Sequence, residues 1–263
     1  MRWLAPILLV ASLLFDLGGA AEAAADGGRR DPTRGPGARR LPHRSRSLGF
    51  PFQGRLRGGV RLRESRYLRY VPEYAAAGNH YGTWELVQLL ERAAYRVARR
   101  VREGGVARLS VGELSREGGG RIPGHASHQN GRDVDLAFYM RDGRGRPYEP
   151  FAFAEFDADG RGVGPNHALT FDDARNWELV AKLVADGDAK VQFIFVANHL
   201  KRRLLREARR RHAPAVVIER AARAMVQPAR GHRHANHFHV RIYCSPSARP
   251  ACRDRPPLHP WYR

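Results

Sequence analysis

The chain has 263 residues, 43% of them hydrophobic, and sets 46 Lys and Arg against 26 Asp and Glu, for a formal charge of +20. That composition excludes a multi-span membrane protein and a wholly disordered chain, and the length suits one large domain or two small ones. Two cysteines exclude a disulfide-dense scaffold and any four-cysteine zinc site. All the basic residues are arginine except Lys182, Lys190 and Lys201. Residues 24–70 hold 13 Arg against Asp26, Asp31 and Glu64, half of the net charge in under a fifth of the chain. Such a surface attracts polyanions, whether an acidic wall polymer, an anionic membrane surface or nucleic acid. No helix-turn-helix, RNA-recognition aromatics or zinc-finger spacing accompanies it, so no specific nucleic-acid binding is expected.

At the N-terminus, Arg2 precedes an apolar run from Leu4 to Phe15, and Ala21-Glu22-Ala23 follows. This is the pattern of a cleavable signal peptide over residues 1–23, and the run is short for a membrane span. A periplasmic or secreted location is therefore expected. Residues 24–66, rich in Arg, Gly and Pro, read as a flexible basic leader, with the folded domain over 67–263. Thr83 predicts the N-cap of a helix with Leu86, Leu90, Ala94, Val97 and Val101 on one face. Ala107 to Val111 reads as a strand, and Gly118-Gly119-Gly120 breaks the chain after it. From Asp133 to Tyr139 the pattern alternates, with Val134, Leu136 and Phe138 opposite Asp133 and Asp135. Residues 141–170 read as loop. Asp172 or Asp173 caps a helix containing Trp177, Val180, Leu183 and Val184, and Val191 to Ala197 forms an apolar strand. Asn198 is expected to cap a very basic helix running to Arg211. His237 to Tyr243 alternates again, with Phe238, Val240 and Ile242 opposite His237, His239 and Arg241. The elements follow no regular βαβ rhythm, which predicts an α+β fold: a small central antiparallel β-sheet with flanking helices. Export would place Cys244 and Cys252 in an oxidising compartment, where a disulfide is expected over two free thiols.

Two segments carry the chemistry: Gly124 to Asp135, and His234 to His239. Together they hold five histidines and two aspartates. A catalytic zinc site uses three nitrogen or oxygen ligands and keeps one position open. A histidine in the turn before a strand, a carboxylate on that strand and a histidine on a neighbouring strand could supply them. The period-2 phasing sends Asp135 and His239 away from their apolar neighbours. If those apolar faces share one core, both ligands look into one cleft. The same residues also fit a solvated strand face, but their density in two short segments favours a metal.

The segment Ser127-His128-Gln129-Asn130-Gly131-Arg132-Asp133-Val134-Asp135, with His234-x-x-His237-x-His239 later, resembles the penicillin-insensitive murein endopeptidases. These belong to a wider group of lysostaphin-type, D-Ala-D-Ala and hedgehog-like metallopeptidases whose pattern is H-x(6)-D followed by H-x-H. The likeness runs from about Tyr67 to Cys252 and includes Asn79-His80-Tyr81-Gly82-Thr83. It implies a hedgehog- and DD-peptidase-like zinc peptidase fold, with His128, Asp135 and His239 as zinc ligands and His125 as an additional candidate ligand. It further implies His237 as the base beside the activated water, and His234 as its orienting partner or as a stabiliser of the oxyanion, a task Arg241 could share. One catalytic Zn2+ is implied. A second metal, present in some relatives, has no clear equivalent, Asp157, Asp159 and His167 being the nearest candidates. The dipeptidase branch carries a Glu just before its last histidine ligand; Ala235-Asn236-His237 lacks it, which favours the endopeptidase branch. The implied substrate is peptidoglycan, cut at D-Ala–diamino acid cross-links. The alternatives are a zinc D,D-carboxypeptidase, a non-catalytic zinc-containing peptidoglycan-binding module, and a polyanion-binding protein driven by the arginines.

Overall fold

The structure is a computed structural model that describes residues 45–262. The expected signal peptide and the leader up to residue 44 lie outside the described residues. In chain order the strands are β1 (Arg46–Phe50), β2 (Gln53–Arg57), β3 (Val60–Arg61), β4 (Leu68–Tyr70), β5 (Tyr81–Gly82), β6 (Leu109–Val111) and β7 (Asp133–Ala137). There follow β8 (Met140–Arg141), β9 (Pro147–Tyr148), β10 (Thr170–Phe171), β11 (Val191–Phe195), β12 (Met225–Val226) and β13 (His237–Ile242). The helices are α1 (Pro72–Ala75), α2 (Trp84–Arg100), α3 (Asp173–Ala185), α4 (Asn198–Arg210) and α5 (Ala215–Ala224).

The central sheet has six strands in the order β12-β11-β13-β7-β6-β4. It corrects the expectation of a purely antiparallel sheet. The middle four strands are antiparallel, but β12 joins β11 and β4 joins β6 in parallel. The reason lies in the connections. A parallel pair needs a long crossover, and α2 lies between β4 and β6 just as α4 and α5 lie between β11 and β12. The fold is thus mixed α and β, with a mixed sheet and three smaller sheets beside it.

The apolar pattern explains the layers. Val134, Leu136, Phe238, Val240 and Ile242 are buried in the same core as Leu86, Leu90, Val97, Trp177, Val180 and Leu183. Thr83 caps α2 by accepting from the Leu86 amide, and Asp172 caps α3 by accepting from the Arg175 amide. The buried face of α2 is wider than the expected stripe and adds Leu89 and Ala93, because α2 packs on α3 as well as on β3 and β5. The cap of α4 differs from expectation. Ala197 holds the N-cap position, Asn198 is the first helical residue, and its amide donates to Gln227 Oε1 at 3.0 Å. A side chain from beyond α5 thus satisfies a helix-end donor that local sequence leaves open. Helix α5 was not expected; only Ala221 and Ala224 of it are buried, so its apolar pattern is faint.

The boundary of the leader also moves. Strands β1 and β2 pair from Arg46↔Arg57 to Phe50↔Gln53, inside the segment expected to be flexible. Leu56 and Leu62 are buried, the Gly49 amide donates to the Ala251 carbonyl, and the Arg253 amide donates back to Gly49. Folded structure therefore begins by Ser45. Arginines and glycines among the apolar residues hid a hairpin whose backbone partners include residues 251 and 253, at the far end of the chain.

Two contacts in the scaffold carry tests. Asp186 is buried at the end of α3, accepts from Arg92 Nε at 3.0 Å and Nη2 at 2.8 Å, and so ties α2 to α3. Burial alone would raise its pKa, but the Arg92 hydrogen bonds and the Ala189 amide outweigh that and hold it below the ordinary carboxylate value. A depressed folded pKa gives stability that is present above the ordinary carboxylate pKa and lost as pH falls below it. Asp186→Asn should therefore cost about 2 kcal/mol at pH 7. In urea titrations the gap to wild type should close as pH falls into the acid range. The second contact is the Cys244–Cys252 disulfide, with Cα atoms 5.8 Å apart. Thiol titration of unfolded, unreduced protein should find no free thiol, and the Cys244→Ala, Cys252→Ala double variant should lose about 2 kcal/mol.

Candidate metal centre

Strands β7 and β13 set the site. Their register puts His239 opposite Asp135, Arg241 opposite Asp133 and His237 opposite Ala137. With Val134, Leu136, Phe238 and Val240 turned into the core, Asp133, Asp135, His237, His239 and Arg241 share the other face. That face floors a cleft of about 700 Å³, also lined by His125, His128, His232, His234, Tyr74 and Phe153.

Asp135 sits at the centre and is only 3% exposed. Its Oδ2 lies 3.4 Å from His128 Nε2 and 3.8 Å from His125 Nδ1. Its Oδ1 lies 3.3 Å from His239 Nδ1 and 3.4 Å from His237 Nε2. Among the described residues it has no arginine or lysine partner. His125, His128 and Asp135 make the tightest set, with one ligand atom from each within 4.8 Å of the others. His239 meets the other oxygen of the same carboxylate. The remaining candidates are elsewhere: Asp157 folds back on the amides of Asp159 and Arg161, and His167 is exposed beside the Gly164 carbonyl.

The second ring nitrogen of each histidine is committed to an acceptor. His128 Nδ1 donates to the Leu114 carbonyl at 2.7 Å, and His239 Nε2 donates to Asp133 Oδ1 at 3.0 Å. His125 Nε2 donates to Glu113 Oε2 at 2.7 Å. In the neutral ring each bond leaves a lone pair on the nitrogen facing Asp135, the tautomer a ligand needs. Asp133 also accepts from Arg241 Nε at 2.6 Å and from the His128 amide at 3.1 Å. Burial would raise its pKa, but Arg241 and His239 hold it well below the carboxylate range. For Asp135 burial acts the same way, and His128 and His237 outweigh it. Burial would lower the pKa of His128; Asp135 and Asp133 reverse that and push it up to about 9. The local field thus favours positive charge between His128 and Asp135. His128 Nε2 and Asp135 Oδ1 are also buried without a hydrogen-bond partner among the described residues. Two buried polar atoms without a hydrogen-bond partner, histidines tethered at their far nitrogens and a buried carboxylate with no arginine or lysine beside it fit a divalent metal, which would take the place of the His128 proton.

Next to this cluster, His237 donates from Nδ1 to Asn236 Oδ1 at 2.7 Å and stacks on Phe153 with ring centroids 4.5 Å apart. Gly112 makes room for that stack, since a Cβ there would come within 2.5 Å of the Phe153 ring. His234 donates from Nδ1 to the His232 carbonyl at 2.8 Å, while burial and the neighbouring His237 and His239 lower its pKa to about 3. It is neutral near pH 7, with a lone pair on Nε2. His128 and His234 both have positive φ, 67° and 56°, a conformation that side chains rarely adopt. Glu113, Asn79 and Phe153 were missing from the sequence reading as site residues. Glu113 is placed by backbone pairing, its carbonyl accepting the Asp135 amide, and its Oε1 accepts from Asn79 Nδ2 at 2.7 Å. Asn79 at least lay in a segment that resemblance picked out; nothing near Glu113 or Phe153 in the sequence marks them.

The fold closes a His/Asp cluster at the floor of a cleft, and comparison with known proteins gives the class: residues 47–261 match a family of peptidases. The chain belongs to the penicillin-insensitive murein endopeptidase family. It is 31% identical over 185 residues to the penicillin-insensitive murein endopeptidase of Haemophilus influenzae, covering 68% of this chain and 57% of that one. It is 30% identical over 185 residues to the protein of that name from Klebsiella pneumoniae, covering 69% and 60% of the two chains. The matched region thus spans 57% and 60% of those two relatives.

If Asp133 fixes the His239 tautomer, Asp133→Asn should weaken divalent-cation binding about 10- to 100-fold while leaving one ion per chain. Competition with a chromogenic chelator, using Zn2+ as the probe, reads both quantities.

Proposed function

We propose that this chain is an exported zinc metallo-endopeptidase that hydrolyses D-Ala–diamino acid cross-links in peptidoglycan. The observation that carries the reading is Asp135: a buried carboxylate ringed by four histidines and unpaired with any arginine or lysine among the described residues. Family membership supplies the substrate class. His128, Asp135 and His239 would hold the ion, with His125 close enough to join them. A zinc ion there would supply Lewis acidity, polarising a carbonyl and making water nucleophilic near neutral pH.

The protein's own groups then move the proton. With Nδ1–H given to Asn236, His237 Nε2 has a free lone pair facing the cluster. It accepts a proton as the water oxygen bonds to the amide carbon, and returns it to the nitrogen as the C–N bond breaks. Phe153 holds the ring flat. Neutral His234, donating to the His232 carbonyl, has only an acceptor to offer the cleft, which favours orienting water over stabilising an oxyanion. Arg241 lines the cleft as the cation for that second task. On α4, Arg202, Arg206 and Arg209 are exposed with no carboxylate partner among the described residues. They support electrostatic association with an anionic wall polymer or membrane surface. Among the described residues no helix is long and apolar enough to cross a membrane.

The test is digestion of purified cross-linked peptidoglycan, with and without chelator, read by mass spectrometry of muropeptides. Dimers should convert to monomers, chelator should stop the conversion, and His237→Ala should lower kcat about 10²- to 10⁴-fold. Loss of terminal D-Ala alone would point to a carboxypeptidase. A tightly bound zinc with no product would point to a binding module, and full activity in a His128→Ala, His239→Ala double variant would sink the metal reading.

A further inference from the structure

A side cavity of about 200 Å³ opens beside the cleft and shares Phe52 and Arg241 with it. Phe50 and Arg255 line it as well. Phe50 and Phe52 stack on each other with centroids 5.2 Å apart. The Arg255 guanidinium lies over both rings, 4.8 Å from Phe50 and 4.5 Å from Phe52. Arg255 is exposed and has no carboxylate partner among the described residues, unlike Arg241, which is paired with Asp133. Its backbone is anchored: Gln192 Nε2 donates to the Arg255 carbonyl at 2.6 Å. The Phe50-Pro51-Phe52 turn is anchored too, because the Gln129 amide, next to His128, donates to the Pro51 carbonyl. At the wall of the same cavity Arg132 is buried, and its Nε–H has no partner.

A guanidinium held over aromatic rings has already given up much of its side-chain freedom, and its planar fork matches a carboxylate. The cavity is too small for a sugar ring system or a nucleotide and suits one small anionic group. We propose that Arg255, stacked on Phe50 and Phe52 with Arg132 and Arg241 at the cavity wall, forms a subsite for a free carboxylate of an acidic peptide substrate. The subsite rests on the reading of the cleft as a murein peptidase site. It makes the carboxylate beside the scissile amide, borne by the diamino acid, a specificity determinant, so that amidation of that group would mark cross-links the enzyme cuts poorly. It also assigns a task to the β1-β2 hairpin, whose turn carries Phe52 into the cleft.

The experiment compares cross-linked muropeptide dimers whose diamino-acid carboxylate is free or amidated, using full-length wild type, Arg255→Ala and Arg255→Gln. Wild type should show a KM about tenfold lower for the free acid, with kcat alike for the two dimers. Both variants should lose that preference by raising KM on the free acid. Calorimetric binding of the two dimers to chelator-treated protein should show the same preference in wild type and its loss in both variants. A preference in binding without cleavage of either dimer would retain the subsite and overturn the hydrolase reading. Equal binding of the two dimers by wild type, or an equal loss on both dimers in the variants, would overturn the subsite, and cleavage would then leave the hydrolase reading standing.

Discussion

The site is organised around one electrostatic constraint: the Asp135 carboxylate is buried, and no arginine or lysine compensates it among the described residues. An isolated buried carboxylate costs several kcal/mol unless positive charge or several donors reach it. The four histidines around it are weak compensation while neutral. Only a cation between them, a proton on His128 or a metal ion, balances the charge. Asp133 shows the contrast two residues away, on the same face of the strand. It is equally buried but takes Arg241, the His128 amide and His239 as partners, and so needs nothing more. Two aspartates two residues apart thus hold different offices because of what faces them across β13.

The surrounding residues make that constraint directional. The Leu114 carbonyl, Asp133 and Glu113 each accept from the far nitrogen of one histidine, so the near nitrogens converge on Asp135. Asn236 Oδ1 does the same for His237, and Phe153 stacks on that ring besides. The strained backbone at His128 and His234 belongs to the same design. Neighbouring bonds hold both residues in that conformation: the His128 amide donates to Asp133, and the His234 carbonyl accepts from the Ala197 amide.

Much of this was legible in the sequence because strand phasing is a local property. Alternation in Asp133–Ala137 and in His237–Ile242 divides core from cleft, Thr83 opens its helix as expected, and of the two candidates Asp172 and Asp173 it is Asp172 that caps the other helix. What escaped depends on partners distant in the chain. Strand β1 is held by backbone bonds to residues 251 and 253, the start of α4 by Gln227, and Glu113 by its pairing with Asp135. The parallel edges of the sheet escaped for the same reason. Whether an edge strand runs with or against its neighbour is decided by the path of the connecting helices, not by the residues of the strand.

The far end of the chain then explains why an N-terminal hairpin stands next to the cleft at all. Arg132, three residues before Asp135, is buried and donates to Asp254 Oδ1 at 2.5 Å and to the Arg253 carbonyl at 3.0 Å. Asp254 accepts the Cys244 amide as well, and the disulfide closes the loop between them. The same segment pairs with Gly49. One buried guanidinium therefore couples the strand bearing Asp135 to the C-terminal loop, and that loop to the hairpin bearing Phe50 and Phe52. Replacing Arg132 by an apolar residue would leave Asp254 buried without its partner and loosen both walls of the cleft at once. This is why so costly a residue is kept in the interior beside a site that already holds buried charge.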